Sequence, residues 1–325
     1  MPGQARHDNR AVSLRVRPAI QCCPDLMHAL WMIAGAFFFA TMAVCVKFAS
    51  AWFTASELVF WRGLLGMLFM WLLARGQGVV LATKYPWMHA WRSLIGVISL
   101  GAWFYAIGQL PLATAMTLNY MSSVWVAAFL IGGALIAWNP RAGEPWPARQ
   151  GLLAMAVLAG FAGVVLMLRP TIDQSQVFGA VMGLLSGITA AFAYMQVMAL
   201  AKIGEPDTRT VYYFAVGSAI AGAIGMVAGD VSPWDWGHAW WIFPVGLLAA
   251  LGQLCITRAY SRGATLVVAC LQYFGIVFGA IYGVTLFGDR IPAMGWAGMG
   301  LIVASGIGAT ILRARAAPGA PAEEH

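Results

Sequence analysis

The feature that most constrains this chain is its succession of apolar runs. Several exceed the roughly 18 residues that read as a membrane span. A chain that is 61% hydrophobic and 10% charged lies far from the soluble norm of about 25% charged residues. A water-soluble helical core would keep polar faces on most of its helices, and these segments lack them. The spacing predicts an all-α membrane protein of about ten transmembrane helices. The expected spans are 27–49, 55–74, 88–109, 113–137, 150–168, 177–201, 211–229, 239–260, 264–287 and 294–312. Most reach 19 to 25 residues, enough to cross about 30 Å of hydrocarbon at 1.5 Å per residue. The links are too short to separate independent domains.

Charge sets the expected orientation. With the N-terminus inside, 15 of the 19 Lys and Arg residues fall on or near the cytoplasmic side and 4 on or near the outer side. That asymmetry follows the positive-inside rule and returns both termini to the cytoplasm, as an even number of spans requires. It also accounts for the net charge of +7 without nucleic acid, since no basic stripe carries interleaved exposed aromatics. Trp234, Trp236, Trp240 and Trp241 read as an outer aromatic belt. Residues 1–26 read as a disordered cytoplasmic tail, or as an overlong start before Met27; residues 313–325 read as a second tail. The five cysteines form no C-x-x-C pair and no metal-site spacing, so no metal or cofactor is expected. Cys22 and Cys23, just before the first span, are bare candidates for acylation.

An internal repeat is visible. A shift of 151 residues places Leu100-Gly101 on Leu251-Gly252 and Ala113-Thr114 on Ala264-Thr265. It also places Val126, Gly132 and Leu135 on Val277, Gly283 and Leu286. After the next loop the shift becomes 145, and Gly143-Glu144 meets Gly288-Asp289. The repeats occupy 27–168 and 177–312. Five spans each force opposite insertion, hence two inverted five-helix repeats, an architecture shared by many alternating-access transporters.

The chain resembles the drug/metabolite transporter superfamily, in its EamA-type ten-helix branch, over residues 27–312. The resemblance rests on Arg258-Ala259-Tyr260 with Ala264, Gly288-Asp289-Arg290-Ile291-Pro292, Trp296 to Ile302 and Gly306. In the first half it rests on Lys47, Glu57, Arg62, Gly163 to Leu166 and Arg169-Pro170. Two departures stand out. Gly-Asp replaces the usual Gly-Glu after the ninth helix. The proline frequent in the fourth and ninth helices is absent, with Ser122-Ser123 and Tyr273-Phe274 in its place. The resemblance implies export of amino acids or other metabolites. The Arg-Ala-Tyr pattern is similar to a branch that imports S-adenosylmethionine.

Ionisable side chains within spans are costly and mark function or pairing. Arg62 is read as a carboxylate-binding or gating cation, or as a structural partner of Glu57. Glu57 is the one acidic residue within the expected spans and lies near the outer end. It and Lys47 are the coupling or gating candidates. So poorly placed a carboxylate favours a uniporter or exchanger over a proton-coupled machine. His28, His89 and His238 lie at span edges and read as solvated.

Polar side chains recur on several spans: Trp103, Tyr105 and Gln109; Asn119, Ser122 and Ser123; Ser186, Thr189 and Gln196; Gln253, Thr257, Arg258 and Tyr260; Gln272 and Tyr273. Each fits interhelical hydrogen bonding or a central cavity for substrate. The Gly275, Gly279 and Gly283 stripe predicts close helix packing within the bundle in preference to a dimer seam.

The expectation is therefore a non-enzymatic secondary transporter in the bacterial inner membrane. Its solute is a small metabolite, an amino acid or derivative on the strength of Arg62. Import of S-adenosylmethionine-like compounds and broad drug export are the alternatives. Its partners are lipid and solute, in a monomer or weak homodimer. An intramembrane enzyme would need a nucleophile and base, or metal ligands, at depth; Leu185-Ser186-Gly187 has no deep histidine partner.

Overall fold

The computed structural model describes residues 23–110, 112–137, 148–168, 177–229, 231–233, 235–288 and 293–316. Among them are no strands. The chain folds as α1 (Cys23–Ala49), α2 (Ala55–Gln77), α3 (Pro86–Gln109), α4 (Leu112–Tyr120), α5 (Ser122–Ala137) and α6 (Ala148–Leu168). It continues as α7 (Val177–Lys202), α8 (Asp207–Ala228), α9 (Ile242–Arg262), α10 (Thr265–Gln272), α11 (Phe274–Phe287) and α12 (Ala293–Ala316). Seven helical stretches among the described residues are long and apolar enough to cross a membrane, α10 and α11 counting as one. The protein is thus an all-α membrane protein. The other three expected spans coincide with α4–α5, α6 and α12.

Two expected spans are not continuous. The 113–137 segment breaks at Met121, where the Val124 amide bonds back to the Met121 carbonyl at 2.9 Å. The 264–287 segment breaks at Tyr273, whose amide reaches the Cys270 carbonyl at 3.3 Å. Both breaks tighten to i→i+3 spacing without a proline. The backbone stays bonded through them, with the Met121 amide on the Thr117 carbonyl at 3.0 Å and the Ile276 amide on the Tyr273 carbonyl at 2.9 Å, and a side-chain network joins the two places. α1 starts at Cys23, inside the segment expected to be a tail. Residues 1–22 and 317–325, Trp234, Gly143-Glu144, Arg169-Pro170 and Asp289 to Pro292 lie outside the described residues.

The helix ends follow local rules. Thr54 and Glu57 form a capping box at the start of α2: the Glu57 amide donates to Thr54 Oγ1, and the Thr54 amide donates to Glu57 Oε2 at 2.7 Å. Gly78, in the left-handed region at φ 67°, closes the other end.

Packing is by small residues. α2 lies along α8, α1 along α9, α3 along α7 and α6 along α12. A Cβ on Gly63 would sit on the Ala219 backbone, one on Gly222 on the Phe60 backbone, and one on Gly187 on the Leu118 carbonyl. The Gly275–Gly279 stripe faces inward, Gly275 against Tyr120 and Gly279 against Met116. Close backbone approach of this kind is how membrane helices gain van der Waals contact when lipid offers no hydrophobic driving force.

Candidate functional site

Between α1, α2, α3, α4, α7, α8 and α9 lies a cavity of about 60 Å³. That is room for a few waters, at roughly 10–15 Å³ each. Its walls carry Arg62 from α2, Arg92, Ser99 and Trp103 from α3, Asn119 and Tyr120 from α4, Tyr194 from α7, Phe214 from α8 and Gln253 from α9.

The two arginines dominate it. Arg62 and Arg92 are 4% and 2% exposed. Both guanidiniums rest on the Phe214 ring, their central carbons 5.1 and 4.3 Å from its centroid. Arg62 Nη1 donates to Ser218 Oγ at 3.4 Å, and that hydroxyl in turn donates to the Phe214 carbonyl. Arg92 folds back along its own helix into space that exists because residue 96 is glycine; a Cβ there would overlap the guanidinium and the Phe214 ring.

Among the described residues neither arginine makes an ion pair. Arg62 Nε, Arg92 Nε, Arg92 Nη1, Trp103 Nε1 and Tyr120 Oη are all buried without a hydrogen-bond partner among the described residues. Burying one unpaired charge costs several kcal/mol, so a chamber with two cations and this surplus of donors can offset that cost by accepting an anion or a strong acceptor.

The surrounding walls are fixed by hydrogen bonds. Ser186 ties three helices: its hydroxyl accepts from Asn119 Nδ2 at 3.1 Å, and its carbonyl accepts from Ser99 Oγ at 2.8 Å. At the two helix breaks, Gln272 Oε1 accepts from Tyr260 Oη at 2.7 Å and Ser123 Oγ at 3.4 Å. Gln272 Nε2 donates to Ser122 Oγ at 3.2 Å and to the Tyr194 hydroxyl at 3.4 Å. Tyr194 stacks on Tyr260 at 4.6 Å and borders the cavity.

Of the residues expected from sequence, the structure brings Arg62, Trp103, Asn119 and Gln253 together at the cavity. Ser122, Gln272 and Tyr273 lie buried at the helix breaks. Thr257 accepts from Gln253 Nε2 at 3.4 Å, and Gln196 is half-buried on α7. Tyr105 is 36% exposed and packs edge-on against Phe178 outside the cavity. Gln109 is exposed at the end of α3. Arg258 lies over the Trp31 ring at 4.9 Å. Glu57 belongs to the capping box, and Lys47 Nζ donates to the Ile107 and Leu110 carbonyls at 2.8 Å, holding the end of α3.

Two features were missed. Arg92, near the start of α3, counts in the sequence only among the cations of the cytoplasmic side and not as a site candidate. His89 read as a solvated edge residue but is 1% exposed, stacked on Tyr213, with Nε2 3.3 Å from Glu205 Oε2. Glu205 follows Gly204, which is at φ 81°, in the α7–α8 turn, and it also accepts from Thr83 and Arg209. Burial would raise the Glu205 carboxyl, but the Thr83 hydroxyl, Arg209 and His89 hold it below the usual carboxylate range. This cluster fastens the α2–α3 loop to the α7–α8 turn.

The EamA-like transporter family matches residues 177–311. The pseudopaline exporter of Pseudomonas aeruginosa is 35% identical over 287 residues, an alignment covering 86% of this chain and 95% of that protein. This chain belongs to the EamA-like transporter family. A riboflavin transporter of Rhizobium johnstonii is 26% identical over 303 residues, covering 92% of this chain and 95% of that one. A solved crystal structure superposes with a TM-score of 0.70 at 18% identity, over 89% of this chain and 98% of the other, a likeness of fold. As an EamA-family protein the chain is a membrane transporter of metabolites.

Proposed function

We propose that this EamA-family protein is a secondary transporter that moves a small carboxylate-bearing metabolite across the bacterial inner membrane by alternating access. The observation that carries the reading is the central cavity, where the buried Arg62 guanidinium has no carboxylate partner among the described residues. At about 60 Å³ the cavity is smaller than a metabolite, so on this reading transport requires the helices around it to part.

Helix pairing supports ten spans in two inverted repeats. Exchanging α1 with α7, α2 with α8, α3 with α9 and α6 with α12 turns the α1–α9 contact into the α7–α3 contact. It leaves the α2–α8 and α6–α12 contacts in place. Such symmetry supplies two near-equal states open to opposite sides. The Lys and Arg distribution supports cytoplasmic termini.

The test is counterflow in proteoliposomes with a labelled amino-acid panel, S-adenosylmethionine, pseudopaline and riboflavin, with and without a pH gradient. Saturable counterflow of a carboxylate-bearing solute, lost in Arg62→Gln, supports the reading. Counterflow of solutes that is indifferent to Arg62→Gln refutes it.

A further inference from the structure

A second cation shares the chamber, and its placement narrows the solute. Arg62 is seven residues from the start of α2 and Arg92 six residues from the start of α3. Gly63 and Ser93, each next to one of the arginines, both pack against α8 around Gly217: a Cβ on Gly63 would meet Ala215 and Ala219, and a Cβ on Gly217 would meet Ser93. The two arginines therefore lie at nearly the same depth in the bundle. Their side chains converge on Phe214, which puts their guanidinium carbons within 9.4 Å of each other, the sum of their distances to the ring centroid.

We propose that the cavity recognises solutes carrying two anionic groups, one for each of the guanidiniums of Arg62 and Arg92. This rests on the reading of the cavity as the solute site. Each guanidinium is a fork of five donors matched to one carboxylate. Arg62 gives Ser218 a single long hydrogen bond, and Nε of each arginine has no partner among the described residues. A monoanion on either guanidinium leaves the other charge buried and uncompensated, which is the costly state. A dianion that spans the two guanidiniums neutralises both. Phe214 holds the two cations in place through their contact with its ring, so the separation of the anionic groups is selected as well as their number. Trp103 and Tyr120 supply neutral donors to the remaining oxygens.

The test uses the full-length protein in nanodiscs, with the unfolding midpoint followed against ligand concentration. The probes are glutarate and its monoamide glutaramate, matched in shape and differing by one charge. Glutarate is expected to bind at least about tenfold more tightly, the scale of one charged hydrogen-bonded contact. Arg62→Gln and Arg92→Gln are each expected to bring that ratio to within about twofold of one. Should either variant fail to fold, Arg62→Lys and Arg92→Lys keep the charge and lose the fork, and are expected to reduce the ratio partially. Equal saturable binding of both probes, or a preference that survives in the Arg92 variants, overturns the two-anion reading and leaves the transporter site standing. Failure of both probes to bind, together with solute counterflow that is unchanged in Asn119→Ala, overturns the cavity as the solute site and this inference with it.

Discussion

Gln272 joins the two helix breaks, and a double-mutant cycle measures what that junction is worth. Its side chain takes part in four hydrogen bonds, of which those with Tyr260 at 2.7 Å and Ser122 at 3.2 Å have good lengths and those with Ser123 and Tyr194 at 3.4 Å are long. Interhelical side-chain hydrogen bonds in membranes average about 0.6 kcal/mol and reach about 1.7. Two good ones contribute about 1.2 kcal/mol, and stranding the buried Tyr260 hydroxyl adds to the loss. Gln272→Leu is therefore expected to cost about 1–3 kcal/mol in equilibrium unfolding in mixed micelles. Tyr260→Phe, which removes one contact, is expected to cost about 0.6–1 kcal/mol. In the double variant the losses should fall short of additive by about 0.6 kcal/mol or more, because the Tyr260–Gln272 contact is counted twice. A coupling under about 0.3 kcal/mol, the ordinary scatter for independent sites, refutes the claim that this hydrogen bond fastens the breaks.

Two other perturbations are set by local geometry. Gly63→Ala places a methyl on the Ala219 backbone, which cannot rotate aside, and is expected to cost about 1–3 kcal/mol. Gly66→Ala, one turn along the same helix, meets only the Ala215 Cβ at 3.4 Å and is expected to be near neutral in the same unfolding assay. Glu205 gives a pH dependence. Its folded carboxyl titrates below its ordinary value of 4.5, so its contribution is present above that value and is lost as pH falls through the lower folded one. The stability difference between the wild type and Glu205→Gln is expected to shrink across that acidic interval, and a difference constant with pH contradicts the assignment.

Much of the fold was legible because hydrocarbon imposes one rule on every span: about twenty apolar residues in a helix. The breaks at Met121 and Tyr273 were not, since the usual proline signal is absent and the compensating partners of Gln272 come from elements far along the chain. At the site, Arg62 was visible as a cation deep in an apolar run. Arg92 was not: near a span end it counts only toward the cytoplasmic charge, and it takes the tertiary fold, through Gly96 and Phe214, to turn its side chain inward. Tyr105 could have been set aside from geometry alone: two residues from Trp103 is about 200° around a helix, so a buried Trp103 turns Tyr105 outward. His89 was misplaced for another reason. Its partner Glu205 lies 116 residues away, and only the tertiary fold joins them.

The measurement that tests the central claim most directly is two-sided accessibility of the cavity. Ala190 lines it and is buried, and Ala190→Cys in a cysteine-free background gives a single reporter. In membrane vesicles of defined orientation, a membrane-impermeant thiol reagent applied to one face at a time is expected to label residue 190 from each face, with transported solute protecting it. Labelling confined to one face, or labelling that solute leaves unchanged, contradicts a solute site with alternating access.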